Sequence, residues 1–519
     1  MRRIILLFLM LQGLVAQNVP FIMDHPVYHF LEQQESRGRI DGEYWSTRPY
    51  TFTQINEMLT EIAEHAESLS GHEHRLLNRF QKEFNREIKE DGITFPWSRS
   101  TLNSLRRPAQ QDIRPFFISY KQGETSGWIN FSETIRAQHN GDGIRGYHTD
   151  HLGIYGQKGS IAFTTQFTYH RVTKSDHFAE LPESHREGYV LERDYMRWIS
   201  WDYPTSSLTY SHRDFTISTN RQPVYWGYSP DNSSILSDNT NPLPYVEWTT
   251  GMKHLRFKFM HARLSPNAAI VQDTSNTRRN LSAHRVEFDI SPNFEFAFNE
   301  MIVYAHRDFE LGYLNPLNFL YTEEHAQGDR DNLLMALDFK WRVIPGLTTY
   351  GSWLIDELDW YKLFSGWWGN KFIFQIGGTY YPKANLPSLG MEFTAGRPWT
   401  YSHRYPVNSF TSAGRVLGLK AGPNTQTLRI FSSWQVNPAL HTRAVFDYVI
   451  QGDDPGSDPL NSYGDHVYFG DETASFLLGE LSETTRLSFM LDYYLSYNLS
   501  LSLRLNSERE IEFGCKFDW

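Results

Sequence analysis

The sequence predicts an all-β membrane protein: a closed antiparallel transmembrane β-barrel of about eighteen strands behind a small N-terminal helical domain. Three observations predict it. From about Ile113 onward, apolar and polar residues alternate with period two. The second face carries charged groups that a dry core does not admit, so it must face water. Short turns also alternate with long polar loops, as in barrels that cross a membrane.

The elements follow in chain order. Met1–Arg2–Arg3 precedes the apolar run IILLFLMLQGLVA, which is too short for a spanning helix and ends in small residues near Ala16. This is the pattern of a signal peptide over residues 1–17, removed on export. No cysteine follows it closely. The one cysteine, Cys515, excludes internal disulfides and reads as a small hydrophobe on a strand. Residues 18–108 read as three helices. HPVYHFLEQQESRG is amphipathic and closed by Gly38. Thr51 and Gln54 form a capping box ahead of Ile55, Met58, Leu59, Ile62 and Ala63, and Ser70 and Glu73 form a second ahead of Leu76, Leu77, Phe80, Phe84 and Ile88.

Residues 109–519 read as the barrel. Ile161, Phe163, Phe167 and Tyr169 alternate with Ala162, Thr164, Gln166 and His170, and the pattern returns at 285–290, 333–342, 428–434, 442–450, 487–495 and 499–505. In the last strand Ile511, Phe513, Cys515, Phe517 and Trp519 share one side, while Glu510, Glu512, Lys516 and Asp518 share the other. Turns at Ser291–Pro292–Asn293, Ile344–Pro345–Gly346 and Asn437–Pro438 fall on the side of the C-terminus. The long loops 305–332, 357–370, 397–424 and 451–475 fall opposite. Counting back gives about eleven strands from residue 283 and about seven upstream, and puts the polar segment 171–193 on the short-turn side, so that either one upstream strand is miscounted or that segment is an exception.

Bulk properties agree. A mean hydropathy of −0.51 is compatible with spanning strands of ~10 residues that are half lumenal. An aromatic content of 15% suits two interfacial girdles. The net charge of −11 argues against nucleic acid as a partner. The bland alternative is a secreted soluble β-sandwich.

The segment NRQPVYWGYSPDNSSILSDNTNPLP, residues 220–244, is neither strand-like nor of low complexity. Through Arg221, Gln222, Trp226, Gly227, Leu236, Ser237, Asp238, Asn239, Pro242 and Pro244 it resembles the signature of the Wzi capsule-assembly family. Glu300, Tyr313, Asn315, Pro316, Asp331 and Asn332 extend the resemblance downstream, and the helical region extends it to nearly the whole mature chain. The resemblance implies an outer-membrane barrel of eighteen strands with helices at its periplasmic mouth. It also implies a lectin that helps attach capsular polysaccharide or exopolysaccharide to the cell surface. Outer-membrane lipid is then an expected partner. The terminal aromatic residue resembles the end signal that such barrels present to the barrel-assembly machinery.

Sugar recognition needs flat apolar faces for pyranose C–H groups, with amides, carboxylates and guanidinium forks for hydroxyls. Arg221, Gln222, Tyr225, Trp226, Tyr228, Asp238 and Asn239 offer that mixture, and Glu300, Tyr313, Asn315, Asp331 and Asn332 flank a long loop. The competing reading makes these residues braces inside the lumen, with Arg221 paired to a carboxylate such as Glu300. Trp360, Tyr361, Trp367 and Trp368 read either as a polymer contact or as an interfacial girdle. Asp453, Asp454, Asp458 and Asp465 read as a solvated loop without EF-hand spacing. No cofactor or metal is expected. Asp356 and Glu357 should point to opposite faces of a strand, which disfavours acid–base catalysis. The pairs His72/His74 and His148/His151 have no third ligand in view. The leading reading is a non-enzymatic barrel that binds polysaccharide, and the main rival is an outer-membrane channel or polysaccharide exit pore.

Overall fold

Capping boxes start two of the helices where the sequence places them. In the computed structural model, Thr51 and Gln54 bond reciprocally at the head of a helix, and Ser70 and Glu73 do the same for the next. The structure describes residues 20–518 except 22, 24, 41–45, 85–87, 89–90, 96–115, 175–196, 253, 267–277, 384, 464–471 and 497. The expected signal peptide, Asp465 and Trp519 lie outside the described residues. Helices α1 (Pro26–Ser36), α2 (Phe52–Glu64) and α3 (Gly71–Phe84) each turn an apolar stripe inward. Val27, Leu31, Ile55, Leu59, Leu76 and Phe80 close a core of their own.

Eighteen strands then form one closed ring. In order they are β1 (Thr125–His139), β2 (Ile144–Lys158), β3 (Ile161–Thr173), β4 (Trp198–His212), β5 (Phe215–Gln222) and β6 (Leu243–Met252). Next come β7 (Leu255–Leu264), β8 (Arg279–Ser291), β9 (Phe294–Ala305), β10 (Asn332–Ile344), β11 (Leu347–Glu357) and β12 (Lys371–Tyr380). The last six are β13 (Leu389–Gly396), β14 (Thr425–Asn437), β15 (Leu440–Asp453), β16 (Glu480–Ser496), β17 (Leu499–Asn506) and β18 (Ile511–Asp518). Every neighbouring pair is antiparallel, and β18 closes on β1 from Ile511 opposite His139 to Asp518 opposite Ser132. Closure leaves no open edge, which hydrocarbon requires. A short strand, Ile118–Gln122, turns into β1 and carries a further one, Gly92–Thr94.

The alternation sorts side chains between two environments. On β9 and β10, Phe296 pairs with Phe339 and Phe298 with Leu337 on the outer face, while Asn299, Asp338 and Lys340 point into the lumen. The turns at 292–293, 345–346 and 438–439 lie at the end where β18 finishes, as the sequence reading has it. The upstream count needs correction. The connection from Thr173 to Trp198 joins the opposite, long-loop ends of β3 and β4, so segment 171–193 is no exception. The outer face of β2 carries Gly146, His148 and Asp150, so period two fades there and the parity of the count is lost.

An eighteen-stranded ring is wide enough to leave an aqueous channel unless something fills it. Here the helical domain docks on the turn side. Arg342 donates to the Glu35 carbonyl at 2.9 Å, the Gly346 N–H to the Ser36 carbonyl at 2.8 Å, and the Tyr381 hydroxyl to Glu32 at 3.3 Å. Arg79 donates to the Pro438 carbonyl and rests on the Tyr494 ring at 4.3 Å. The lumenal face is therefore wet only in part. A cavity of about 650 Å³ remains between α1 and the inward faces of β1–β3 and β15–β18, lined by Arg136, His151, His170, Arg443, Arg504 and Lys516 among others.

His29 on α1 sits at this contact, its ring 5.6 Å from that of Tyr381 and 6.1 Å from that of His441. Burial, then the positive charges of His441 and Arg443, pushes its pKa down to about 3. A histidine whose folded pKa lies below its unfolded value stabilises the docked state above that unfolded value, and the contribution is lost as pH falls through the folded one. Between about pH 6.5 and 3, protease cleavage within the helical domain should therefore rise. His29→Gln should flatten that dependence. An unchanged slope in the variant would contradict the assignment.

Candidate functional site

The 220–244 segment begins on β5 and dives into the barrel. Gln222 is buried on the lumenal side of β5 opposite Leu243, whereas Arg221 shares the outward side with Ile217. Arg221 thus stands apart from Glu300, and among the described residues the two form no ion pair. Beyond the strand, Trp226 pairs with Thr47 and Leu236 and is 1% exposed. Gly227 adopts φ +124, and a Cβ there would come within 2.7 Å of the Ser233 hydroxyl, so the tight bend requires glycine. The Tyr225 hydroxyl donates to the Ser229 carbonyl at 2.6 Å, and Arg48 donates to the Pro230 carbonyl at 2.7 Å.

Polar groups of the segment are met by the wall. Glu392 on β13 accepts from Ser229 at 2.7 Å, Asn232 at 3.0 Å and Tyr350 at 2.9 Å. Asp231 pairs with Arg443 and, at 3.5 Å, with Arg429. Ser237 and Asn239 bond to the carbonyls of Gly418 and Val416 in the 397–424 loop, at 2.6 and 2.9 Å, while Asp238 is exposed. Tyr228 lies 5.4 Å from both the Arg285 guanidinium and the Lys340 ammonium. Arg285 in turn forks onto Asp338 at 2.8 and 2.9 Å and reaches Glu287 at 2.7 Å, Asn299 at 2.8 Å and Ser46 at 3.1 Å. The segment is a brace that fills the lumen and ties the wall to the helical domain.

The downstream residues separate from it. Asp331 accepts from Arg307 and, at 2.8 Å, from Tyr313, which is fully buried. Asn332 is buried at the head of β10, Asn315 is exposed, and Glu300 is buried on the outer side of β9. His148 lies with Glu133 and Asp150 on the outer face, while His151 faces the lumen, so that histidine pair is split. Asp454 and Asp458 accept from the backbone N–H groups of Gly456 and Leu460, at 2.8 and 2.9 Å.

The loop-side mouth carries a group of residues that strand reading cannot assemble. Trp360 packs edge-on to the outward-facing Trp353 at 6.0 Å, and Tyr361 beside it is fully exposed. Trp368 turns toward Tyr463, and Trp367 meets it with ring centres 6.3 Å apart. Trp368, Trp399 and His403 surround Tyr463 with ring centres 6.2, 6.5 and 6.2 Å away, and Tyr405 adjoins His403 at 5.6 Å. Lys371, 1% exposed, places its ammonium 3.6 Å from the Tyr463 ring and 2.5 Å from Glu357. A register shift in β11 between Ile355 and Glu357 sets Glu357 opposite Lys371, and the adjacent Asp356 accepts from the Tyr401 N–H at 2.6 Å. This corrects the expected opposite-face placement of the two carboxylates, because a bulge cancels the alternation.

Trp399 and Tyr401 both adopt positive φ, 67° and 73°, a costly backbone for aromatic residues that the packed loop holds in place. Burial, then the charge of Lys371, pushes His403 down to about 3, leaving a neutral imidazole able to bond hydroxyls. Tyr463 is pushed up by burial, with Lys371 pulling it back. Chemically this is a partly exposed aromatic shelf with neutral and charged hydrogen-bonding groups at its edge.

No protein-family model matches the chain, and no curated protein does. Among solved structures, OccAB2 of Acinetobacter baumannii matches 76% of this chain and 98% of its own, at 9% identity and a TM-score of 0.43. A BenF-like porin of Pseudomonas fluorescens has the same coverage and identity with a TM-score of 0.42. Wzi of Escherichia coli, an outer-membrane protein involved in group 1 capsule assembly and described as a carbohydrate-binding β-barrel, matches 97% of this chain and 99% of its own. Its identity is 12% and its TM-score 0.58. The chain therefore shares the fold of Wzi, an outer-membrane β-barrel, over nearly its whole length, as the residues of the 220–244 segment lead one to expect.

Proposed function

We propose that this protein is a non-enzymatic outer-membrane barrel that binds a surface polysaccharide at its loop-side mouth and helps hold it on the cell. The observation that carries the reading is the aromatic shelf of Trp367, Trp368, Tyr405 and Tyr463 set above a lumen filled by protein. Rings of this kind stack on sugar C–H faces, while His403, Glu357 and the loop amides read hydroxyls. Each contact is weak, and a polymer engages many barrels at once. The likeness of fold to a carbohydrate-binding barrel supports the same reading. In this reading the helical domain faces the periplasm, export uses an N-terminal signal peptide, and the barrel-assembly machinery inserts the chain.

Replacing Trp368 and Tyr405 together by alanine is expected to weaken polysaccharide binding about tenfold, the equivalent of about 1.4 kcal/mol, with the barrel still folded. Binding of the extracted polymer to barrels in nanodiscs checks this. Deleting the gene should move polysaccharide from the cell-bound to the shed fraction. Unchanged retention would count against the role.

A further inference from the structure

The loop between β9 and β10 does not rise from the rim but folds back over the outside of the wall. It holds two short helices, α4 (Leu311–Leu314) and α5 (Leu320–Ala326). Tyr313 and Leu320, both fully buried, pack on Ile302 and Tyr304 of β9 and on Leu333 of β10. By register these are outward positions, in line with Phe296, Phe298, Leu337 and Phe339. The flap also shields polar groups on that outer face. Glu300 accepts the Leu320 N–H at 3.3 Å and lies 3.9 Å from His284, and the Ser282 hydroxyl donates to the Tyr313 carbonyl at 2.5 Å. Left bare on the outside of a membrane barrel, these groups would be costly.

The flap's other side is uncovered and mostly apolar, with Asn315 the exposed polar residue among 309–321. Phe309, Leu311, Leu317 and Phe319 are 62%, 79%, 76% and 68% exposed, far more than single surface hydrophobes need be. One side of the flap thus replaces lipid against the strands, and the other presents the same apolar character one layer farther out. We infer that residues 309–321 form an amphipathic cover embedded in the outer leaflet, with these four side chains in contact with lipid acyl chains. The occupant follows from continuity, since the cover extends the apolar belt of β7–β10 on the face that meets hydrocarbon. It also gives the barrel a lateral foothold beside the mouth, independent of any polysaccharide.

The test uses the full chain with Cys515→Ala, reconstituted in phosphatidylcholine nanodiscs. A fluorophore is placed at Phe319→Cys, and in a second protein at Leu317→Cys. Asp458→Cys on an outer loop is the aqueous control, and heat-modifiable migration verifies folding of each. Nitroxides on the acyl chains are expected to quench positions 319 and 317 several-fold more than the control, and iodide several-fold less. Strong iodide quenching without acyl-chain quenching at both positions would overturn it. So would protection from both quenchers that disappears when each disc holds a single barrel, because a second copy would then be the occupant.

Discussion

Replacing Arg285 by alanine is expected to destabilise the folded barrel by about 3–5 kcal/mol, the cost of breaking a buried ion pair from one side. Arg285 is wholly buried on the lumenal face of β8 and answers two carboxylates, Asp338 at 1% exposure and Glu287 at 7%. Without it both remain buried, Asp338 retaining Asn299 and Glu287 retaining Arg256 at 2.9 Å. The bond to Ser46 is lost as well, so the helical domain loosens with the wall. Arg285→Lys should recover only part of the loss, since an ammonium lacks the fork that meets Asp338 with two bonds. Urea titration in lipid vesicles, followed by tryptophan fluorescence, measures both. A change under about 1 kcal/mol for the alanine variant would place this network among those that contribute little.

Excising the inward segment should have the largest functional effect. Gln222 and Leu243 are direct partners across β5 and β6, so an Asn-Gly turn can replace residues 223–242 without moving either strand. Glu392, Arg443 and Gln375 would then lose their partners in the segment, and the helical domain would lose its bonds to Pro230 and to Gly227, whose N–H meets the Ser46 carbonyl at 2.7 Å. The shortened barrel is expected to pass a steady ionic current in planar bilayers that the intact one does not. Heat-modifiable migration of the shortened protein shows whether the ring still closes. A closed ring that stays silent would mean that the helices alone seal it.

The features legible in the sequence are those set by neighbours along the chain. Both capping boxes form as Thr51, Gln54, Ser70 and Glu73 suggest, because their groups meet within one helical turn. The outward rows on β10 and β18 are readable because each of these strands is apolar on every second residue. Where a strand departs from that rule, legibility stops. His148 and Asp150 on the outer face of β2 hide its parity, and the bulge in β11 turns Glu357 toward Lys371. Arg221 faces outward because strand parity continues through it, even though the residues after it plunge into the lumen. The aromatic shelf draws Trp367, Trp368, Tyr405 and Tyr463 from three loops far apart in sequence, so no spacing could have announced it. The flap over Glu300 and His284 was hidden for the same reason: its partners lie on strands to either side of it.

In the proposed function, protein interrupts the water column through this ring, and a polymer is held at the mouth while solutes do not pass. Single-channel recording of the intact protein in planar lipid bilayers tests it most directly. No steady ohmic conductance above the bare membrane is expected. A large, stable, voltage-independent open level from verified folded monomers would contradict it and favour the exit-pore reading.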